Sequence, residues 1–193
     1  MSGVNSGGAD LPPEILKTAL DLWSQVEGEH FLTITGQSML PLIHPGDKVL
    51  VQKGKVQATP GDIVVYIDNK GFITHRLLTF LNERAGEIEF LAKGDRIPYP
   101  DSPVGIESII GIVIGIKRGQ RSMRLDTPTW RQLNSLIATL MLPIAHSYRQ
   151  THQPDHKNPQ YRLPTICYRV ANACFILLWV LILPLLSHWE TVS

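Results

Sequence analysis

Ser38, in the run Thr35-Gly36-Gln37-Ser38-Met39-Leu40-Pro41, is the first residue placed to do chemistry. Gly36 permits a sharp turn before it, and Pro41 behind it stops a helix from forming. Such a turn lifts a hydroxyl to the lip of a sheet. A hydroxyl alone is a poor nucleophile at neutral pH and needs a base beside it. Thr74-His75-Arg76 offers one, because His75 falls in a strand-like run with Ile73, Leu77 and Leu78 and can reach across a sheet. A third segment, 91–101, carries Asp95 and Asp101. Either carboxylate can accept the second ring N–H of His75, fixing its tautomer and stabilising the imidazolium. Nucleophile, base and orienting acid make up the set that acyl transfer requires. Spacing alone leaves open which aspartate completes it. Each piece also has an ordinary reading: Gly-x-Ser is common, strand histidines are commonly hydrogen-bonded core residues, and Asp95 can cap a turn.

These residues need a scaffold, and the runs around them describe a mainly β one. Strands are expected over 31–35, 48–52, 62–67, 72–78, 87–92 and 109–117, divided by Pro-Gly-Asp at 45–47 and 60–62, Asp68-Asn69-Lys70-Gly71, and Lys93-Gly94-Asp95. No strand–helix alternation suggests a parallel sheet. The organisation expected is a tail and amphipathic helix over 1–28, a β-rich domain over 29–126, an amphipathic helix over 127–147, a polar linker over 148–166, and an apolar helix over 167–189. The first helix has Asp10 as N-cap, prolines 12 and 13 in its first turn, and an apolar stripe of Leu16, Leu20, Trp23 and Val26. In the linker, His152 and His156 have ligand-like spacing, but Pro154 and Pro159 argue against the helix that would align them, so no metal is expected. Residues 170–187 carry no charge; as a helix they rise about 27 Å, the thickness of a bilayer core, so a single C-terminal membrane span contacting lipid is expected. Lys157, Arg162 and Arg169 precede it and no Lys or Arg follows, which places the β domain on the cytoplasmic side.

The chain's 193 residues have a formal net charge of +1 with scattered Lys and Arg, which gives no field to attract nucleic acid. Cys167 and Cys174 are about 10 Å apart along a helix, too far for a disulfide.

Taken in order, the motifs resemble the type I signal peptidases, which share a fold with the self-cleaving LexA-type repressors. The run 36–41 is followed by Gly46-Asp47-Lys48-Val49-Leu50-Val51, Gly61-Asp62-Ile63-Val64-Val65-Tyr66, Thr74-His75-Arg76, and Lys93-Gly94-Asp95 with Asp101 behind it. The likeness covers 31–117. Bacterial members commonly use lysine where His75 stands, so this chain looks like the endoplasmic-reticulum and archaeal branch. The resemblance implies a serine endopeptidase acting on leader or signal peptides without a cofactor. It assigns Asp101 to the triad and Asp95 to support, and it implies a peptide or preprotein substrate held along Gly36, Gln37, Met39 and Leu40. Three features depart from it. Gly36 stands where many members carry a hydroxyl, the apolar segment is C-terminal, and signal peptides are cut outside the membrane whereas the charge bias faces inward. A catalytically silent module gripping a peptide or partner is the alternative. A DNA-binding repressor is not expected, because the residues before 31 hold one helix where a helix-turn-helix needs two.

Overall fold

Short apolar runs separated by Gly-Asp turns pair with one another as a single antiparallel sheet. In the computed structural model, residues 14, 18, 28–53, 57–68, 71–82, 88–152, 165–186 and 190–191 are described. The strands are β1 (Gly28–Thr33), β2 (Lys48–Lys53), β3 (Ile63–Asp68), β4 (Gly71–Asn82), β5 (Ile88–Lys93), β6 (Val104–Gly105), β7 (Ile109–Arg118), β8 (Arg121–Arg124) and β9 (Glu190–Thr191). Their spatial order is β1-β2-β7-β3-β4-β5-β6, with β8 joining β7 to β9. Register shifts at Leu50/Val51, Val65/Tyr66 and Leu77/Thr79 bend the strands and curl the sheet into a half-barrel.

Both faces of the sheet are covered, which explains why β3 is an unbroken apolar run instead of an alternating one. Ile63 and Val65 join Val49, Val51, Leu91, Val113 and Ile116 in the larger core. Val64 and Tyr66 face the other way, with Leu77, Phe90, Ala92, Ile112 and Ile114. Helix α1 (Pro128–His152) closes the larger core with Trp130, Ile137 and Met141. It starts where the sequence places it: Thr127 caps it, its hydroxyl accepting from the Trp130 N–H at 3.4 Å, and Pro128 occupies the first turn. Gly61 (φ 107°) lies directly under α1, and a Cβ there would meet the backbone of Ser135 at 2.7 Å.

Two expectations are corrected, and three strands are added. Helix α1 runs five residues past 147, so the linker expected from 148 begins as helix. Contacts made by Tyr148 sustain the extension: it stacks on Tyr99 with ring centroids 5.4 Å apart and meets Tyr168 edge-on at the same distance. The membrane span expected over 167–189 is not found, since no helix among the described residues is long and apolar enough to cross a membrane. Its segment forms α2 (Thr165–Leu186), whose inner face is taken up by the protein. Tyr168, Asn172 and Trp179 are buried there, with Trp179 edge-on to Trp130 at 6.2 Å. Last, β6, β8 and β9 were not expected; two of them have only two residues. Cys167 and Cys174 are free, exposed thiols on α2. Apart from Glu14 and Thr18, which are helical, the helix expected over 11–27 lies outside the described residues, as does His156.

Candidate active site

The nucleophile candidate rides on the connection between β1 and β2, whose base is closed by hydrogen bonds from the Ile34 N–H to the Asp47 carbonyl and from the Gly46 N–H to the Ile34 carbonyl. Met39, Leu42 and Ile43 are at most 1% exposed and anchor the loop in the larger core. Beyond them, Arg118 grips the buried Asp47 carboxylate at 2.8 and 2.7 Å and donates to the Leu42 carbonyl at 3.0 Å. Ser38 is therefore half-buried at the rim of a fixed loop. Of the residues expected along a substrate, Gly36 and Gln37 are exposed and Leu40 is half-buried. Met39 is corrected: its side chain is in the core, so at the surface it presents backbone. The Gln37 amide oxygen accepts from Arg96 at 2.7 Å.

His75 lies on β4 opposite Val64, on the face that carries Leu77 and the smaller core. Tyr66 is its diagonal neighbour on β3, since Tyr66 pairs with Ile73. Both side chains converge on Asp101, whose chain is brought back to β5 by its own N–H donating to the Ala92 carbonyl at 2.9 Å. His75 Nδ1 is 2.5 Å from Asp101 Oδ2, and the Tyr66 hydroxyl donates to the same oxygen at 2.9 Å. Burial, and after it the Asp101 charge, hold the Tyr66 phenol above its ordinary range, so it remains a protonated donor. With its proton on Nδ1, His75 donates to the carboxylate and keeps Nε2 as an acceptor. That nitrogen and Ser38 both lie against Gly94. A Cβ on Gly94 would meet Ser38 Cβ at 2.9 Å and His75 Nε2 at 3.0 Å, so only glycine leaves the two groups this space.

Asp95 is not on His75. It is fully buried and forms a two-point ion pair with Arg76, Nε to Oδ1 at 2.9 Å and one terminal nitrogen to Oδ2 at 2.8 Å. The other terminal nitrogen of Arg76 donates to the Gly61 carbonyl at 3.0 Å and to Asn134 on α1 at 2.8 Å. Arg76 sits opposite Lys93 across β4 and β5. Lys93 is buried as well, and burial lowers its ammonium to about 8 against the opposing pull of Asp95. The sequence alone assigns no site role to Tyr66, Arg76, Lys93, Gly94 or Asn172. Two signals were available, a tyrosine within an otherwise aliphatic run and an amide inside an apolar one.

A serine and a carboxylate-held histidine thus meet at one glycine on a curled antiparallel sheet. The chain belongs to the Peptidase S24-like family, whose sequence model matches residues 9–114, a stretch that includes Ser38, His75, Asp95 and Asp101. No curated protein matches the chain.

Proposed function

We propose that the chain is a serine endopeptidase of the signal-peptidase kind, cutting leader or signal peptides with Ser38 as nucleophile and His75 as base. One observation carries the reading: Asp101 holds one ring nitrogen of His75 while the other lies, with Ser38, against Gly94. Ser38 Oγ attacks the peptide carbonyl as Nε2 takes its proton, and Asp101 stabilises the imidazolium. The Ser38 N–H supplies part of the oxyanion hole. Nε2–H then protonates the leaving amine, leaving an acyl-enzyme. Water, giving its proton to Nε2, attacks the acyl carbon, and Oγ departs with that proton. Asp101 is the triad acid in this scheme, and Asp95 supports it from behind through Arg76.

The substrate lies extended along Gly36, Gln37 and Leu40 and the backbone of Met39, with shallow apolar pockets selecting small side chains. The outward face of α2 contacts lipid: Leu177 and Leu181 are 66% and 71% exposed there, an uncommon display for large aliphatic side chains.

A mass-spectrometric census of protein N-termini in cells carrying wild-type or Ser38→Ala protein tests the reading. A set of termini lost in the variant is the expected result, and the leader types among them tell which side of the membrane is served. Identical censuses from cells expressing the protein would overturn it and favour a silent peptide-binding module.

A further inference from the structure

The uncharged stretch 170–187 contains one carboxamide, Asn172, and it sits on the inward face of α2 at 5% exposure. Both ends of the amide are engaged on the same short segment of chain. Its oxygen accepts from the Lys93 ammonium at 2.7 Å, and its nitrogen donates to the Arg96 carbonyl at 2.8 Å. Lys93 also donates to the Gly94 carbonyl at 3.0 Å, which accepts again from the Ile97 N–H at 3.0 Å. From the other side of the segment, the Arg96 N–H donates to the carbonyl of Ser38 at 2.8 Å. Residues 93–97 are thus held between α2 and the nucleophile, and they include Gly94, against which Ser38 and His75 both close.

We propose that Asn172 is a positioning residue: by bridging Lys93 and the Arg96 carbonyl it sets residues 93–97, and through them the approach of Ser38 to His75. This inference rests on the peptidase reading above. A buried amide is costly unless both its donor and its acceptor are satisfied, so an aliphatic side chain would be the better choice for packing alone. Only a group with an acceptor at one end and a donor at the other serves an ammonium and a carbonyl together. The consequence is that α2, which lies beyond the 9–114 stretch shared with the family, is a working part of the site and not only an attachment.

The full chain carrying Asn172→Asp, Asn172→Leu, Lys93→Met or Trp179→Leu tests this. The substrate is a peptide spanning the strongest terminus that Ser38→Ala abolishes. Asn172→Asp keeps the acceptor for Lys93 but turns an oxygen toward the Arg96 carbonyl. A displacement near 1 Å at the reacting groups predicts a fall in kcat on the order of 100-fold, with KM within roughly threefold of wild type. Asn172→Leu should lose about as much, and combining it with Lys93→Met should add little, because both act on the same link. Trp179→Leu loosens α2 without touching 93–97, so at an equal loss of melting temperature it should keep most of its kcat. Wild-type kcat in both Asn172 variants would overturn the inference, as would an equal kcat loss in Trp179→Leu at matched stability. A wild-type protein with no Ser38-dependent cleavage would instead remove the peptidase reading, a result that the Asn172 kinetics cannot produce.

Discussion

The two aspartates should fail in different ways when each is changed to asparagine. Asp95 and Arg76 are both fully buried and share two hydrogen bonds of 2.9 and 2.8 Å. Asp95→Asn cancels one charge of a desolvated pair and turns an N–H₂ toward the guanidinium, whose remaining partners are the neutral Gly61 carbonyl and Asn134. Breaking a buried pair in this way costs about 3–5 kcal/mol. In a chain of this length that lowers the melting temperature by roughly 6–20 °C. Asp101 is different: its side chain keeps 25% exposure, and an asparagine there still offers an oxygen to the Tyr66 hydroxyl. Asp101→Asn should cost about 1 kcal/mol of stability. Its effect falls on kcat, which should drop by about 10⁴ because the amide favours the wrong tautomer and no longer balances an imidazolium. Thermal unfolding by circular dichroism and kcat on the census-derived peptide, measured on both variants, decide the matter. An Asp101→Asn protein that melts like Asp95→Asn, or an Asp95→Asn protein that is stable but inactive, would show that the roles have been exchanged.

Two further changes probe the same surroundings. Gly94→Ala puts a methyl 2.9–3.0 Å from Ser38 and His75 Nε2; kcat should fall on the order of 100-fold, and a variant turning over at the wild-type rate refutes the placement of those groups. Lys93 in the folded chain binds its proton with a value near 8, against 10.5 for an ordinary lysine, so between those pH values the unfolded chain holds more protons. Stability from this group therefore rises with pH across that window, by up to about 3 kcal/mol. Urea unfolding at pH 8 to 10.5 should show a slope that Lys93→Met removes, and equal slopes in the two proteins would contradict the burial of the ammonium.

Much of the scaffold can be read in one dimension because its punctuation is chemical. Pro-Gly-Asp at 45–47 and 60–62 leads directly into β2 and β3, and the expected run 48–52 differs from β2 by one residue. β4 exceeds its expected 72–78 by four residues at its far end, where Thr79, Phe80 and Leu81 continue to pair with β5. The short β6 has no apolar run of its own and exists only because the chain returns beside Phe90. In the site, the order of Ser38, His75 and the aspartates is visible because it is a matter of residue type. The partner of His75 is not, because it depends on a return of the chain at 96–101 that no local propensity encodes. Asn172 was hidden for a related reason. An amide in an apolar run announces that it has partners, but the partners are on β5 and in the loop behind it, some 75 residues earlier in the chain.

The division of labour between the aspartates follows from where each falls relative to a pleated strand. His75 and Arg76 are adjacent in β4, and successive side chains leave a strand on opposite faces. His75 goes to the side of Tyr66, Leu77 and Ala92, where Asp101 is brought up and water still has access. Arg76 goes to the side covered by α1 and α2, where a charge survives only in company, and Asp95 provides it. Lys93 lies across from Arg76 and directs its ammonium to Asn172. Two cations facing each other across strands would repel; Asp95 on one and the amide and Gly94 carbonyl on the other keep both in place. One face thus supplies the dyad that can move a proton, with its carboxylate partly open to water. The other supplies a buried ionic layer that cannot move, and it holds the Lys93–Arg96 segment against which the dyad must close. A single residue of slip in β4 would exchange His75 and Arg76 between these environments and destroy both.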